Sequence, residues 1–97
     1  MRYEIVLAPE AMQDLKRLRA PLRAMVRAAI EKHLRHQPTR TSRSGVKRLR
    51  GVSRPQYRLR VGDVRIFYDV SEDTVQVLAV VLKSEADAWL RRGGDLT

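Results

Sequence analysis

Polar and apolar residues alternate on both sides of the dipeptide Gly62-Asp63, in Tyr57-Arg58-Leu59-Arg60-Val61 and in Val64-Arg65-Ile66-Phe67-Tyr68. Alternation with period two predicts two strands, and Gly-Asp suits the central positions of a two-residue hairpin turn. In that register Val61 faces Val64, and Tyr57, Leu59, Val61, Val64, Ile66 and Tyr68 share one face. The opposite face carries Arg58, Arg60 and Arg65, with Arg60 directly across from Arg65. Like charges in opposed positions destabilise a hairpin, and an anion between them removes the penalty. This face therefore reads as an anion site, most simply for a phosphate.

The rest of the chain follows the same logic. Arg2 to Leu7 alternates as a first strand with Tyr3, Ile5 and Leu7 inward, and Ala8-Pro9-Glu10 opens a helix with proline and an acid in its first turn. Met12, Leu15 and Leu18 give that helix a short apolar stripe. After Pro21, Leu22, Met25, Val26, Ala29, Ile30 and Leu34 recur at helical spacing over a second helix, whose other face holds Arg23, Arg27, Glu31, Lys32 and Arg35. Residues Gln37 to Gly45 form a loop, Val46 to Arg50 a short strand, and Gly51 to Pro55 a turn. Thr74 to Leu82 is apolar on both faces, as a central strand is. Ser84 is the expected N-cap of a final short helix, with Asp87 completing a capping box, and Gly93-Gly94 ends it. Helices followed by strands indicate an α+β fold. The expected arrangement is two N-terminal helices packed on a mainly antiparallel four-stranded sheet, with a short C-terminal helix, in one domain spanning residues 1–97.

Charge sharpens the picture. The chain holds 20 Lys and Arg against 11 Asp and Glu, a formal net charge of +9, and has no cysteine. A disulfide scaffold and a thiolate metal site are therefore excluded, and the basic excess favours polyanionic partners. No apolar run has the length of a membrane span and no signal-peptide core is seen, so a cytoplasmic protein that does not engage membranes is expected. From Lys32 to Gly62 there is no acidic residue. A solvated charge run is the ordinary explanation of such a stretch. Ordinary surfaces mix signs, however, and the unbroken single sign favours a nucleic-acid footprint.

Candidate chemistry is narrow. His33 and His36 lack further ligands for a metal, the carboxylates are dispersed, and neither a phosphate-binding Gly-rich loop nor a nucleophile elbow is present. Neither a metal nor a cofactor is expected. A phosphodiester can still be cleaved by its own 2′-hydroxyl, which needs proton transfers and charge stabilisation but no enzyme nucleophile. Arginines meet the second need and not the first, because they remain protonated.

The whole chain resembles the RelE/ParE superfamily of bacterial type II toxins. The resemblance rests on the amphipathic helix pair, Lys47-Arg48-Leu49-Arg50-Gly51, the Tyr57 to Tyr68 hairpin, and Val77-Leu78-Ala79-Val80-Val81-Leu82-Lys83. It implies a microbial RNase-like, RelE-type fold that is inactive while a cognate antitoxin is bound. RelE-type members act as mRNA interferases, cutting mRNA in the ribosomal A site without a metal; ParE-type members poison DNA gyrase. Carried over position by position, Arg58 and Arg60 stand where the best-known members have lysines, and Arg65 stands at the phosphate-stabilising arginine. Lys83 stands where an arginine usually follows the last strand, and Trp89 where a tyrosine usually sits in the final helix. The implied site has Arg58 and Arg60 holding the scissile phosphate, Arg65 stabilising charge and Lys83 assisting proton transfer. Trp89 either stacks on a base or packs as a lid, and Lys83 either transfers protons or simply closes its strand. Lys47, Arg48 and Arg50 are expected to dock on ribosomal RNA. The implied partners are the antitoxin, the ribosome with its mRNA, and operator DNA reached through the antitoxin. Arginine at both hairpin positions and the lost phenol leave gyrase inhibition, or a degenerate toxin that only binds antitoxin and operator, as alternatives.

Overall fold

The computed structural model describes residues 1–43 and 45–96; Ser44, in the expected 37–45 loop, lies outside them. The elements are β1 (Glu4–Leu7), α1 (Pro9–Arg17), α2 (Ala20–Leu34), β2 (Val46–Arg48), β3 (Val52–Arg54), β4 (Tyr57–Val61), β5 (Val64–Ser71) and β6 (Thr74–Leu82). A 3-10 turn (Lys83–Glu85), α3 (Ala86–Gly93) and β7 (Asp95–Leu96) complete the chain. The main sheet has the order β1-β6-β5-β4-β2. β1 runs parallel to β6, and the other pairs are antiparallel.

The fold is thus α+β as expected, with a main sheet of five strands rather than four, because the short β2 joins its edge. A further two-stranded ribbon, β3 with β7, occupies part of the segment expected to be a turn. Strands of two or three residues are too short to show a period. The central hairpin has the expected register, with Arg60 opposite Arg65 and Val61 opposite Val64. Gly62 sits at φ +56°, a left-handed value that glycine takes without penalty.

The two faces of the sheet bury different groups. Leu59, Val64, Ile66, Tyr68, Val75 and Val77 pack with Ala11 and Leu15 of α1 and Val26, Ile30 and Leu34 of α2 in the larger core. Two residues of the expected helix stripes face solvent instead. Met12 is 47% and Met25 53% exposed, and Ala11, one position before Met12, takes the inward place on α1. On the opposite face a smaller cluster joins Phe67, Ala79 and Trp89, flanked by Leu49, Leu78, Val81, Ala86 and Leu90. A β-bulge makes this two-sided packing possible: Phe67 pairs with Ala79 while the next residue, Tyr68, pairs with Val77. The skipped Leu78 re-phases β6 so that Val77 and Ala79 still reach opposite layers.

The expected capping box at Ser84 is not formed. Ser84 lies inside the 3-10 turn, Glu85 occupies the N-cap of α3, and neither start has a side-chain cap. The turn is held instead by the Lys83 amide, which donates to the Asp63 carbonyl at 2.7 Å and ties the end of β6 to the hairpin tip.

Candidate functional site: a basic face of the sheet

The β2-β4-β5 end of the sheet builds the site. Lys47 on β2 is directly opposite Arg58 on β4, and Arg58 is opposite Phe67 on β5. Two residues along β4, Arg60 faces Arg65. Because directly paired residues share a face, all four cations lie on the α3 side of the sheet, away from α1 and α2. α3 covers the neighbouring β5-β6 portion through Phe67, Ala79 and Val81. In the basic portion Lys47 and Arg60 are exposed, Arg58 is half-buried and Arg65 is buried. A groove of about 460 Å³ lies elsewhere, along α1, the end of β6 and α3, with Glu10, Asp14, Glu85 and Arg92 in its lining.

Each of the hairpin arginines has a distinct environment. Arg65 is only 6% exposed. Its Nη1 donates to the Gly62 carbonyl at 2.8 Å and the Val64 carbonyl at 3.1 Å, so the guanidinium braces the hairpin turn. The repulsion expected from the sequence is therefore offset by hydrogen bonds that the sequence pattern did not reveal. Arg58 is half-buried, and its Nη2 reaches the Gly45 carbonyl only at 3.5 Å. Its Nε is buried and has no hydrogen-bond partner. Burial first, then Arg65 and Arg60, push the Arg58 guanidinium below the usual arginine range. Arginine nonetheless remains charged near neutral pH. Arg60 is exposed.

No carboxylate neutralises this cluster among the described residues. The ion pairs join Arg17 to Asp14, Arg35 to Glu31, and Arg54 to Asp69, and none includes these four cations. A buried, unpaired N–H on a cation surrounded by cations is costly, and an anion against the same guanidinium offsets part of that cost through its charge. None of the chain's tyrosines lines the same face. Tyr3, Tyr57 and Tyr68 all pack on the larger core. The Tyr68 hydroxyl donates to the Pro38 carbonyl at 2.6 Å, and burial drives its ionisation up. His33 lies on α2, on the other side of the sheet, and His36 just beyond its end. The arrangement can bind and stabilise anionic oxygens, and its three arginines stay charged.

The remaining expected site residues are placed as follows. The Lys83 main chain is fixed on the hairpin turn that Arg65 braces, and its side chain is exposed. Trp89 is 5% exposed, stacked on Phe67 with centroids 4.9 Å apart and planes 5° apart. Its Nε1 donates to Glu10 Oε2 at 2.6 Å. Trp89 therefore packs as a lid, with one ring face already occupied. Lys47, Arg48 and Arg50 do not form one patch. Lys47 joins the basic face, while Arg48 points to the other side, 5.0 Å over the Tyr57 ring. Arg50 is exposed between β2 and β3. Phe67 and Glu10, which hold Trp89, were missed in the sequence. Phe67 was legible from its spacing, since it stands two residues after Arg65 and so shares its face.

Comparisons with known proteins bear on the family and the fold. The model of the ParE toxin of type II toxin–antitoxin systems matches residues 5–87. A search among curated proteins finds no significant match. Among solved structures, the chain is similar to the RelBE2 toxin–antitoxin complex of Mycobacterium tuberculosis, with 26% identity and a TM-score of 0.68 over 84% of this chain and 92% of that one. The RelB–RelE complex of Methanococcus jannaschii shares 23% identity and a TM-score of 0.67, over 87% of this chain and 96% of that one. A mutant of Escherichia coli toxin RelE in the free state shares 19% identity and a TM-score of 0.69, over 96% of this chain and 99% of that one. The fold is that of RelE-like toxins, and with the family model spanning most of its length the chain belongs to the ParE toxin family of type II toxin–antitoxin systems.

Proposed function

We propose that this toxin is a metal-independent endoribonuclease that cuts mRNA on the ribosome and stops translation. The single observation that carries the proposal is the cluster of Lys47, Arg58, Arg60 and Arg65 on one face with no ion-paired carboxylate among the described residues, Arg58 being half-buried with its Nε unpartnered. Such a cluster is complementary to a phosphate whose charge grows in the transition state. In this mechanism the 2′-hydroxyl attacks the adjacent phosphorus, the 5′-oxygen leaves, and a 2′,3′-cyclic phosphate forms. Arg58 and Arg60 hold the phosphate oxygens, and Arg65, already fixed by the turn carbonyls, stabilises the developing charge. Lys83 at the hairpin tip assists proton transfer to the leaving oxygen. Trp89 reaches a base only if α3 lifts from Phe67; otherwise it holds the wall of the site. The ribosome supplies the ordering of the mRNA that this surface lacks, with Lys47, Arg48 and Arg50 touching RNA from separate directions. A cognate antitoxin, such as those in the complexes of the structural relatives, brings acidic groups to the basic face and apolar groups to exposed Val6, Met12 and Met25. Operator DNA is reached through that antitoxin. The site of action is the cytoplasm.

Gyrase poisoning is the second proposal. It is favoured by the family match to ParE and by the packing of all three tyrosines on the other face of the sheet. Inducible expression separates the two. Nuclease action gives growth arrest with mapped mRNA breaks and intact DNA. DNA damage with intact mRNA would instead establish the gyrase mechanism.

A further inference from the structure

We infer that the basic face binds two consecutive phosphates of one single-stranded nucleic acid, the Lys47/Arg58 row taking one and the Arg60/Arg65 row the next. The proposal deepens the nuclease reading and rests on it for the location of the site.

The cations are arranged in two cross-strand rows rather than one cluster. Lys47 pairs with Arg58 across β2 and β4, and Arg60 pairs with Arg65 across β4 and β5. Adjacent strands lie about 4.8 Å apart, so both members of a row can reach the oxygens of one phosphate. Arg58 and Arg60 are two residues apart on the same strand, which separates the rows by roughly 6.6 Å. That is the span of one nucleotide unit in an extended backbone. A lone phosphate would engage one row and leave the other with like charges opposed. Two phosphates in sequence neutralise both rows, including the Arg58 guanidinium, which has no carboxylate partner among the described residues. Three strands make a patch about 10 Å across, which one backbone running along β4 fills. Lys47, exposed and without an ion pair among the described residues, becomes a member of the phosphate site.

The test uses uncleavable 2′-O-methyl oligouridines with one, two and three phosphodiesters, UpU, UpUpU and UpUpUpU, titrated by NMR at several salt concentrations. Each neutralised phosphate of a single strand contributes about −0.7 to the slope of log K against log salt. The expected slopes are about −0.7 for UpU and about −1.4 for UpUpU, with no further steepening for UpUpUpU. Lys47→Glu returns the UpUpU slope to that of UpU, whereas Lys32→Glu on α2 leaves it unchanged. Equal slopes for UpU and UpUpU overturn the proposal, as does a UpUpU slope that Lys47→Glu leaves intact in a folded protein. Ribosome-dependent mRNA cleavage is measured on the same wild-type protein. Cleavage with failed slopes removes the two-phosphate site alone. The two-step slope without cleavage supports the site and removes the nuclease reading.

Discussion

Replacing Arg65 by alanine tests the site and the fold together. The sequence pattern alone predicts relief, because Arg65 faces Arg60 and a stability-only hairpin would avoid that pair. The structure reverses the sign. The guanidinium is 6% exposed and donates from Nη1 to the carbonyls of Gly62 and Val64 at 2.8 and 3.1 Å. A hydrogen bond from a charged donor contributes about 1.5–3 kcal/mol. Two acceptors sharing one nitrogen at unequal lengths place the pair near the lower end of a single such bond plus a fraction. Repulsion from the exposed Arg60 recovers only several tenths of a kcal/mol, since solvent screens it. The net expectation is destabilisation by about 2 kcal/mol, which lowers Tm by roughly 8–16 °C in a domain of this size. Activity falls as well, by about a hundredfold or more, through loss of a fixed donor to the phosphate. Arg65→Lys keeps a charge near the turn and should recover more stability than activity, because an ammonium lacks the planar fork. Thermal unfolding by circular dichroism and ribosome-dependent mRNA cleavage well below the lowered Tm provide the two readouts. Unchanged or raised stability in Arg65→Ala would show that the turn bonds carry no net weight. Full cleavage by the folded variant would show that Arg65 is only a brace.

Three further changes probe neighbouring features. Glu72 sits at φ +51° in the β5-β6 turn, so Glu72→Gly should stabilise the fold by about 0.5–1 kcal/mol in urea unfolding; a lower stability would mean that glycine's chain entropy outweighs the relief. A Cβ on Gly93 would lie 3.0 Å from Trp89 Cε2, so Gly93→Ala should loosen α3, red-shift the fluorescence of the single tryptophan and lower Tm, whereas an unchanged spectrum would show that the ring can yield without cost. Asp14 accepts the Val80 amide at 2.9 Å, yet burial, with Glu10 and Glu85 adding to it, holds its carboxyl above the ordinary value of 3.8. The native state then binds the extra proton, so this group's contribution to stability falls as pH rises from about 4 through its raised native value. Asp14→Asn keeps an oxygen acceptor, and its stability relative to wild type in urea unfolding should rise across that interval and level off above it; a difference independent of pH would refute the assignment.

How far the sequence could be read depended on the kind of interaction involved. The hairpin register was legible because Gly62-Asp63 fixes the turn, and period-two alternation leaves one pairing that buries Leu59, Ile66 and Tyr68 together. Placing Arg58, Arg60 and Arg65 on one face followed directly from that register. What those arginines do next was not legible, because it depends on atoms brought together across the fold. The Arg65 brace needs the actual position of the Gly62 carbonyl, and the orphan on Arg58 needs the depth to which Gly45 and β2 bury it. The β3-β7 ribbon joins residues more than forty positions apart through strands too short to carry a pattern. Trp89 illustrates the same divide. Its place on a short amphipathic helix was readable, but the choice between free platform and packed lid was made by Phe67 and Glu10, the latter 79 residues away. The two residues on which the mechanism leans hardest differ in the same way. Arg65 is prepaid by its own turn, whereas Arg58 stays electrostatically unsatisfied in the free protein. An anion that binds here therefore gains most at Arg58, where desolvation has already occurred, and an antitoxin that silences the toxin through this face has the strongest reason to place a carboxylate against that guanidinium.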